Sequence, residues 1–167
     1  MSTKIKKLKF DQWLKVICIV IDTREKEINH ITSVLNELGV CYMFEKLDSG
    51  DYSYILSEYD IPQKIIIERK NSLDEIAGNF TKNRDRFKRE WDRVDISIKK
   101  HLIIEDNLNK VFTGHYRSNL HVNSFIASLL SFSAKYNIQI HYLDKKNFAN
   151  YMLRLFYYND YYYQGGC

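Results

Sequence analysis

The sequence predicts an α/β fold, a mixed sheet covered by helices on both faces. Three observations carry this. Short apolar runs recur, each closed by a charge or a turn residue. Between them lie stretches with apolar residues at helical spacing. The order reads strand, helix, three strands, helix, strand, helix, strand, helix, which makes a sheet with helical layers.

Val16 to Ile21 is a continuous apolar strand that ends at Asp22. Glu27 to Leu38 is an amphipathic helix through Ile28, Ile31, Val34, Leu35 and Leu38, closed by Gly39. Val40 to Leu47 and Tyr52 to Leu56 are strands around the Asp48-Ser49-Gly50 turn. Glu58 to Gln63 is a loop, and Lys64 to Arg69 the next strand. Ser72 with Glu75 fits a capping box for a helix whose apolar face is Leu73, Ile76, Ala77 and Phe80. Gly78-Asn79 bends or breaks it before a second helix, Thr81 to Val94. His101 to Glu105 is a buried strand, and Asp106 to Asn119 gives no clear signal. Val122 to Tyr136 is a helix, Ile138 to Leu143 a strand, and Lys145 to Asn159 a last helix. Residues 1–12 read as a basic arm, and 160–167 as a frayed tail.

A chain of 167 residues fits one domain with a full core. The net charge of +4 permits nucleic-acid binding without requiring it. Cys18, Cys41 and Cys167 form no metal pattern and read as reduced thiols of a cytoplasmic protein. The Lys-rich N-terminus lacks the apolar region of a signal peptide, and no run approaches a membrane span. The five histidines show no ligand spacing and read as structural.

Chemistry concentrates in Lys64-Ile65-Ile66-Ile67-Glu68-Arg69-Lys70. Three isoleucines mark a buried strand, and charges follow with no turn between. Alternation puts Glu68 and Lys70 on one face and Arg69 on the other. Charges there are costly unless paired or bound to something. If Tyr52 to Leu56 pairs with this strand, Asp51 lies beside Glu68. Two carboxylates together repel as a bare pair and suit a divalent cation. Taken singly, each group has an ordinary role: Asp22 as a helix cap, Asp51 as a turn residue, Glu68 and Lys70 as solvated strand ends.

The series Asp22-Thr23-Arg24-Glu25, Gly50-Asp51, Glu68-Arg69-Lys70 and Asp74 resembles the XPF-type structure-specific endonucleases of the PD-(D/E)XK nuclease superfamily. The match runs from Val16 to Glu105, with every motif in order. The resemblance implies a restriction-endonuclease-like sheet and a metal-dependent DNA endonuclease. It implies work on branched or flap DNA in repair, recombination or phage-like DNA processing. Asp51, Glu68 and Asp22 would hold Mg2+ or Mn2+ with the Ile67 carbonyl, and Lys70 would hold or polarise the attacking water. Asp74 would mainly stabilise its helix N-terminus. Arg69 would pair structurally, with Asp74 or Glu25.

Arg24 would clamp a phosphate. The basic run Lys82, Arg84, Arg86, Lys88, Arg89, Arg93, Lys99 and Lys100 outweighs its acids. Arg84 or Arg86 matches the DNA-contacting arginine of the related nucleases, and Lys88 and Arg89 extend the phosphate contact. XPF-type enzymes usually append a paired helix-hairpin-helix domain, and no such repeat occurs in this sequence. The expected partners are therefore double-stranded or branched DNA, with a homodimer or a targeting protein. The rival reading is a non-catalytic DNA-binding or dimerisation module on the same fold.

Overall fold

The computed structural model describes residues 8–56, 61–62 and 64–163. The sheet grows from β1, Ile17–Asp22, in which all six residues are buried. Parallel to it on one side runs β2, Cys41–Glu45. Antiparallel on the other side is β3, Tyr52–Leu56, followed by β5, Ile65–Lys70. Two further parallel strands, β6 (Lys99–Ile104) and β7 (Ile138–Tyr142), complete the order β2-β1-β3-β5-β6-β7. A two-residue strand, β4 (Ile61–Pro62), pairs with β3, where a loop is predicted; the rest of that loop lies outside the described residues.

Parallel strands need cover on both faces, and alternate residues of β5 serve two cores. Ile65 and Ile67 pack with Tyr52, Tyr54, Leu35, Met152 and Phe156. That side is covered by α1 (Phe10–Trp13), α2 (Asn29–Glu37) and α7 (Phe148–Tyr163). Ile66 faces the opposite core, with Phe80, Phe87, Leu102, Phe125 and Phe132. Over it lie α3 (Leu73–Phe80), α4 (Arg84–Asp92), α5 (Leu108–Phe112) and α6 (Val122–Tyr136). The mixed sheet between helical layers is the architecture that the periodicity predicts.

Several local readings are corrected. Gly78 and Asn79 stay inside α3, and the break falls at Thr81–Asn83, where Thr81 Oγ1 bonds back to the Ala77 carbonyl at 2.9 Å. In the segment without a clear signal, Asn107 caps α5 by accepting from the Asn109 N–H. Residues 1–7 of the expected arm lie outside the description, but Phe10–Trp13 is helical and Trp13 is buried. The expected tail is helical to Tyr163. Asp160 within it is buried, accepting from Trp13 Nε1 and the Tyr54 hydroxyl, each at 2.7 Å. Cys18 and Cys41, read as separate thiols, face each other across the β1–β2 pair and form a disulfide, because the parallel register sets them opposite.

Away from the cleft, His101 Nδ1 lies 3.0 Å from His141 Nε2, and His141 Nδ1 meets the Tyr151 hydroxyl at 2.8 Å. Burial, then the charges of His141 and Lys99, hold the His101 imidazolium down to about 4. The unfolded chain takes that proton near the ordinary value, so this contribution to stability is complete above about pH 6.5 and is lost as pH falls towards about 4. Denaturant titrations at pH 7 and 4.5 should show wild type losing about 1–3 kcal/mol more than His101→Gln. Equal losses would rule this out.

Candidate functional site

The site starts from the backbone of Gly50. Its φ of +74° is left-handed, and a Cβ there would sit 2.9 Å from Ile66 Cβ and 3.2 Å from the Ile67 carbonyl oxygen. Only glycine meets both conditions without strain. The turn delivers Asp51 between two strand ends. Asp51 N–H donates to the Ile67 carbonyl and its own carbonyl accepts from Asp22 N–H, each at 2.8 Å. The Asp51 carboxylate then accepts from the Arg69 N–H at 2.7 Å, beside the Glu68–Arg69 peptide.

Alternation along β5 holds as expected. Glu68 and Lys70 face α3 and α4, with the Lys70 ammonium 2.7 Å from Glu68 Oε1, 3.4 Å from Glu75 Oε1 and 5.5 Å from the Phe87 ring centre. Burial lifts the Asp51 carboxyl well above the usual carboxylate range, and Glu68 and Glu25 lift it further. Burial opposes the charge on Lys70, but Glu68, Glu75 and Asp51 outweigh it and keep the ammonium more basic than usual. Asp51, Glu68 and Lys70 line one cleft, with Glu68 and Lys70 in direct contact. Glu75, which the sequence assigns to a capping box, shares the cluster; its Oε2 accepts from Asn71 N–H while Ser72 Oγ accepts from Glu75 N–H.

Arg69 points the other way and is buried. Its Nε and Nη2 reach both oxygens of Glu105 at 3.0 and 2.9 Å, and Nη1 reaches Glu25 at 3.0 Å and the Lys26 carbonyl at 3.2 Å. His30 Nε2 lies 2.8 Å from Glu105 Oε1, and the Tyr52 hydroxyl donates to Glu25 at 2.6 Å. Glu25 is one of the expected partners. The other, Asp74, sits in the first turn of α3 and binds Arg117 instead. Glu105 reads in the sequence only as a strand-end acid.

Asp22, expected as a further ligand directly or through water, is engaged by hydrogen bonds at the end of β1. The residue is fully buried, and its carboxylate accepts from Arg24 N, Nε and Nη2 and from Leu47 N at 2.7–3.0 Å. A carboxylate offers about four lone-pair positions. Four donors, three of them from Arg24, occupy them in this arrangement. Burial pushes this carboxyl up, but the Arg24 and Leu47 bonds prevail and hold it below its ordinary value. Asp22 fixes Arg24, whose side chain remains 66% exposed at the cleft.

The cleft is about 530 Å³, with Asp51, Glu68 and Lys70 joined by Arg24, Lys82, Arg86 and Arg93. Of the expected phosphate-binding residues, Arg24 and Arg86 line it, and Arg84, Lys88 and Arg89 do not. Arg84 turns back to the Phe80 carbonyl and Ser128. Lys99 and Lys100 lie in β6, where Lys100 is buried and Lys99 binds Asn159. Asn79 and Trp91 also line the cleft, and no sequence signal marks them. Among the described residues no group of three or more His, Cys, Asp or Glu is arranged to hold a metal ion. The oxygen donors the sequence assigns to a cation, Asp51, Glu68 and the Ile67 carbonyl, lie on neighbouring strand ends, where the Ile67 carbonyl accepts from Asp51 N–H. They are hard ligands, and the mutual repulsion at Asp51 is what a divalent cation would relieve.

The ERCC4 domain pattern matches residues 21–155. The chain belongs to the ERCC4 domain family. This is the XPF-type nuclease domain to which the motif series points. XPF from Aeropyrum pernix has the same fold, at 23% identity and a TM-score of 0.59, over 83% of this chain and 64% of that one. The same protein in complex with DNA aligns at 23% identity and a TM-score of 0.60, over 84% of this chain and 63% of that one. The ERCC4 domain chain thus spans under two thirds of those relatives. No curated protein matches it. No helix among the described residues is long and apolar enough to cross a membrane.

Removing Arg69 leaves the Glu105 and Glu25 carboxylates buried without their cation. Arg69→Met should lower unfolding free energy by about 3–5 kcal/mol, and adding Glu105→Gln should restore part of it. Additive losses in that double-mutant cycle would remove the pair from the account.

Proposed function

We propose that this ERCC4 domain is a divalent-metal-dependent endodeoxyribonuclease. The observation that carries the reading is the Gly50 turn, which sets the Asp51 carboxylate against the Glu68–Lys70 segment in a cleft lined by both acidic and basic side chains. Asp51 and Glu68, with the Ile67 carbonyl, would hold Mg2+ or Mn2+. A hard cation there supplies Lewis-acid stabilisation of the charge that develops on the scissile phosphate.

The chain's own groups do the rest. Lys70, kept as an ammonium by its acidic neighbours, orients the attacking water and offsets charge as a donor. Arg24, splinted by Asp22, steadies a phosphate oxygen with its exposed guanidinium. Lys82, Arg86 and Arg93 guide the strand into the cleft. The solved relative in complex with DNA supports DNA as the ligand. Branched or flap DNA is the substrate class the family likeness favours, in repair or recombination.

One observation favours the rival DNA-binding module: the Asp22 carboxylate is already engaged by Arg24 and Leu47. Cleavage assays decide between them. Wild type should nick plasmid DNA and cut labelled flap, fork or junction substrates only with Mg2+ or Mn2+. Glu68→Gln should be at least about a hundredfold slower. In calorimetric Mn2+ titrations, Asp51→Asn should lose affinity while Asp22→Asn keeps it. No cleavage by wild type, with DNA binding equal in Glu68→Gln, would establish the module.

A further inference from the structure

An arginine splinted by an aspartate occurs twice in the molecule. At the end of β1, Asp22 accepts from the Arg24 backbone N–H at 2.8 Å and from its Nε at 2.7 Å, and the guanidinium stays exposed. In the first turn of α3, Asp74 accepts from the Arg117 backbone N–H at 2.6 Å, and Arg117 Nε lies 3.3 Å from its second oxygen. The Arg117 side chain is 95% exposed. Asp74 itself lines the cleft, so Arg117 is held at the cleft's rim. No other hydrogen bond or ion pair engages the Arg117 guanidinium among the described residues.

The segment that carries Arg117, between α5 and α6, is braced. Gly114 turns it with a φ of +69°, the Tyr116 hydroxyl donates to the Leu120 carbonyl at 2.8 Å, and the Tyr116 ring stands edge-on to buried Phe125. Arg117 is thus held by its neighbour Tyr116 and by Asp74. An exposed ion pair contributes little to folding. What the arrangement does supply is a guanidinium whose place is set before any ligand arrives, with Nη1 and Nη2 open to solvent. That fork matches the oxygens of a phosphate diester, and fixing it beforehand lowers the entropy lost on binding. The sheet order sets the two arginines on opposite sides of the carboxylates. Arg24 follows β1, Asp51 precedes β3 and Glu68 lies in β5. The start of α3 leans towards β6, where Leu73 N–H reaches Asp106 beyond that strand at 3.4 Å.

We propose that Arg117 is a second phosphate clamp, which binds the DNA backbone on the α5–α6 side of the site while Arg24 binds it on the β1 side. The clamp deepens the nuclease reading and rests on it for the choice of DNA as the phosphate chain. It touches backbone and not bases, so it serves every sequence equally. A strand that ends at the carboxylates reaches only one clamp, whereas a strand that continues past them reaches both. The pair therefore favours an internal cut over trimming from an end.

The test is fluorescence anisotropy with a labelled DNA duplex in Ca2+ buffer, a readout apart from cleavage, with salt as the variable. Arg117→Gln should bind about tenfold more weakly than wild type. Its slope of log affinity against log salt should be shallower by about 1. The control is Lys146→Gln, which removes the same charge from an exposed position beside α2 and α7. It should change affinity by less than about twofold. Arg117→Lys keeps the charge without the fork, so the salt slope should return while affinity recovers only in part. Thermal melts of Arg117→Gln should match wild type. Affinity and slope in Arg117→Gln equal to those of the control overturn the clamp. Wild-type affinity in Arg117→Lys overturns it too, and this arm holds if Arg117→Gln melts early. Either result with cleavage intact would sink the clamp alone. The expected loss in Arg117→Gln, without any cleavage by wild type, would sink the nuclease reading and leave the clamp standing. A wild type that binds no DNA overturns both.

Discussion

Arg69 carries a positive charge into the packed space between the sheet and α2, and much of the molecule is arranged to receive it. Its side chain joins three parts of the chain: its own strand β5, Glu105 just beyond β6, and Glu25 in the segment after β1. Its backbone N–H at the same time holds Asp51. Burial opposes the charge, but Glu105, Tyr52 and Glu25 raise the guanidinium above its ordinary value, so it stays ionised. A buried ion pair adds little net stability over an apolar replacement, yet losing one member is severe. Its use here is positional: the strand ends that supply the cleft cannot drift apart while the pair holds.

The strand period turns that one residue into a division of labour. Arg69 faces the α2 and α7 side, while Glu68 and Lys70 face α3 and α4. One segment therefore braces the fold on one face and presents charge to the cleft on the other. Asp22 and Arg24 repeat the pattern at the end of β1. The buried carboxylate disappears into four hydrogen bonds, and the guanidinium it steers remains at the surface. Acidic and basic side chains thus share the lining of one cleft, Asp51, Glu68 and Glu75 among the acids and Arg24, Lys82, Arg86 and Arg93 among the cations.

What was legible in the sequence follows from how local each signal is. Val16 to Ile21, the three isoleucines and Val122 to Tyr136 announced themselves because periodicity reports burial directly. The shared face of Glu68 and Lys70 followed from strand geometry alone. The hydrogen bonds at Asp22 are not legible locally, because one of its oxygens accepts from the N–H of Leu47, 25 residues away. The Cys18–Cys41 bond required the β1–β2 register, which no local pattern encodes. Asn79 and Trp91 sat in helices as ordinary interior residues, and only the missing partners in three dimensions set them apart. In the basic run, helical phase turns Lys88 away from the face that Arg86 and Arg93 share, a distinction that charge counting does not make.

The tie between Trp13, Tyr54 and Asp160 bears on how the molecule is made. Trp13 and Asp160 are 147 positions apart, and Tyr54 is 106 from the same carboxylate. During synthesis the indole and the phenol emerge long before the group that satisfies them. The core beneath α1 and α7 must stay incomplete until that last helix arrives, whereas the hairpin that shapes Asp51 closes over a short loop. Loop-closure entropy favours the near contact first. A ribosome-bound chain can therefore carry the β3–β5 pairing at a stage when the back of its sheet is still bare, and that bare surface is the part most exposed to chaperones and to misassociation.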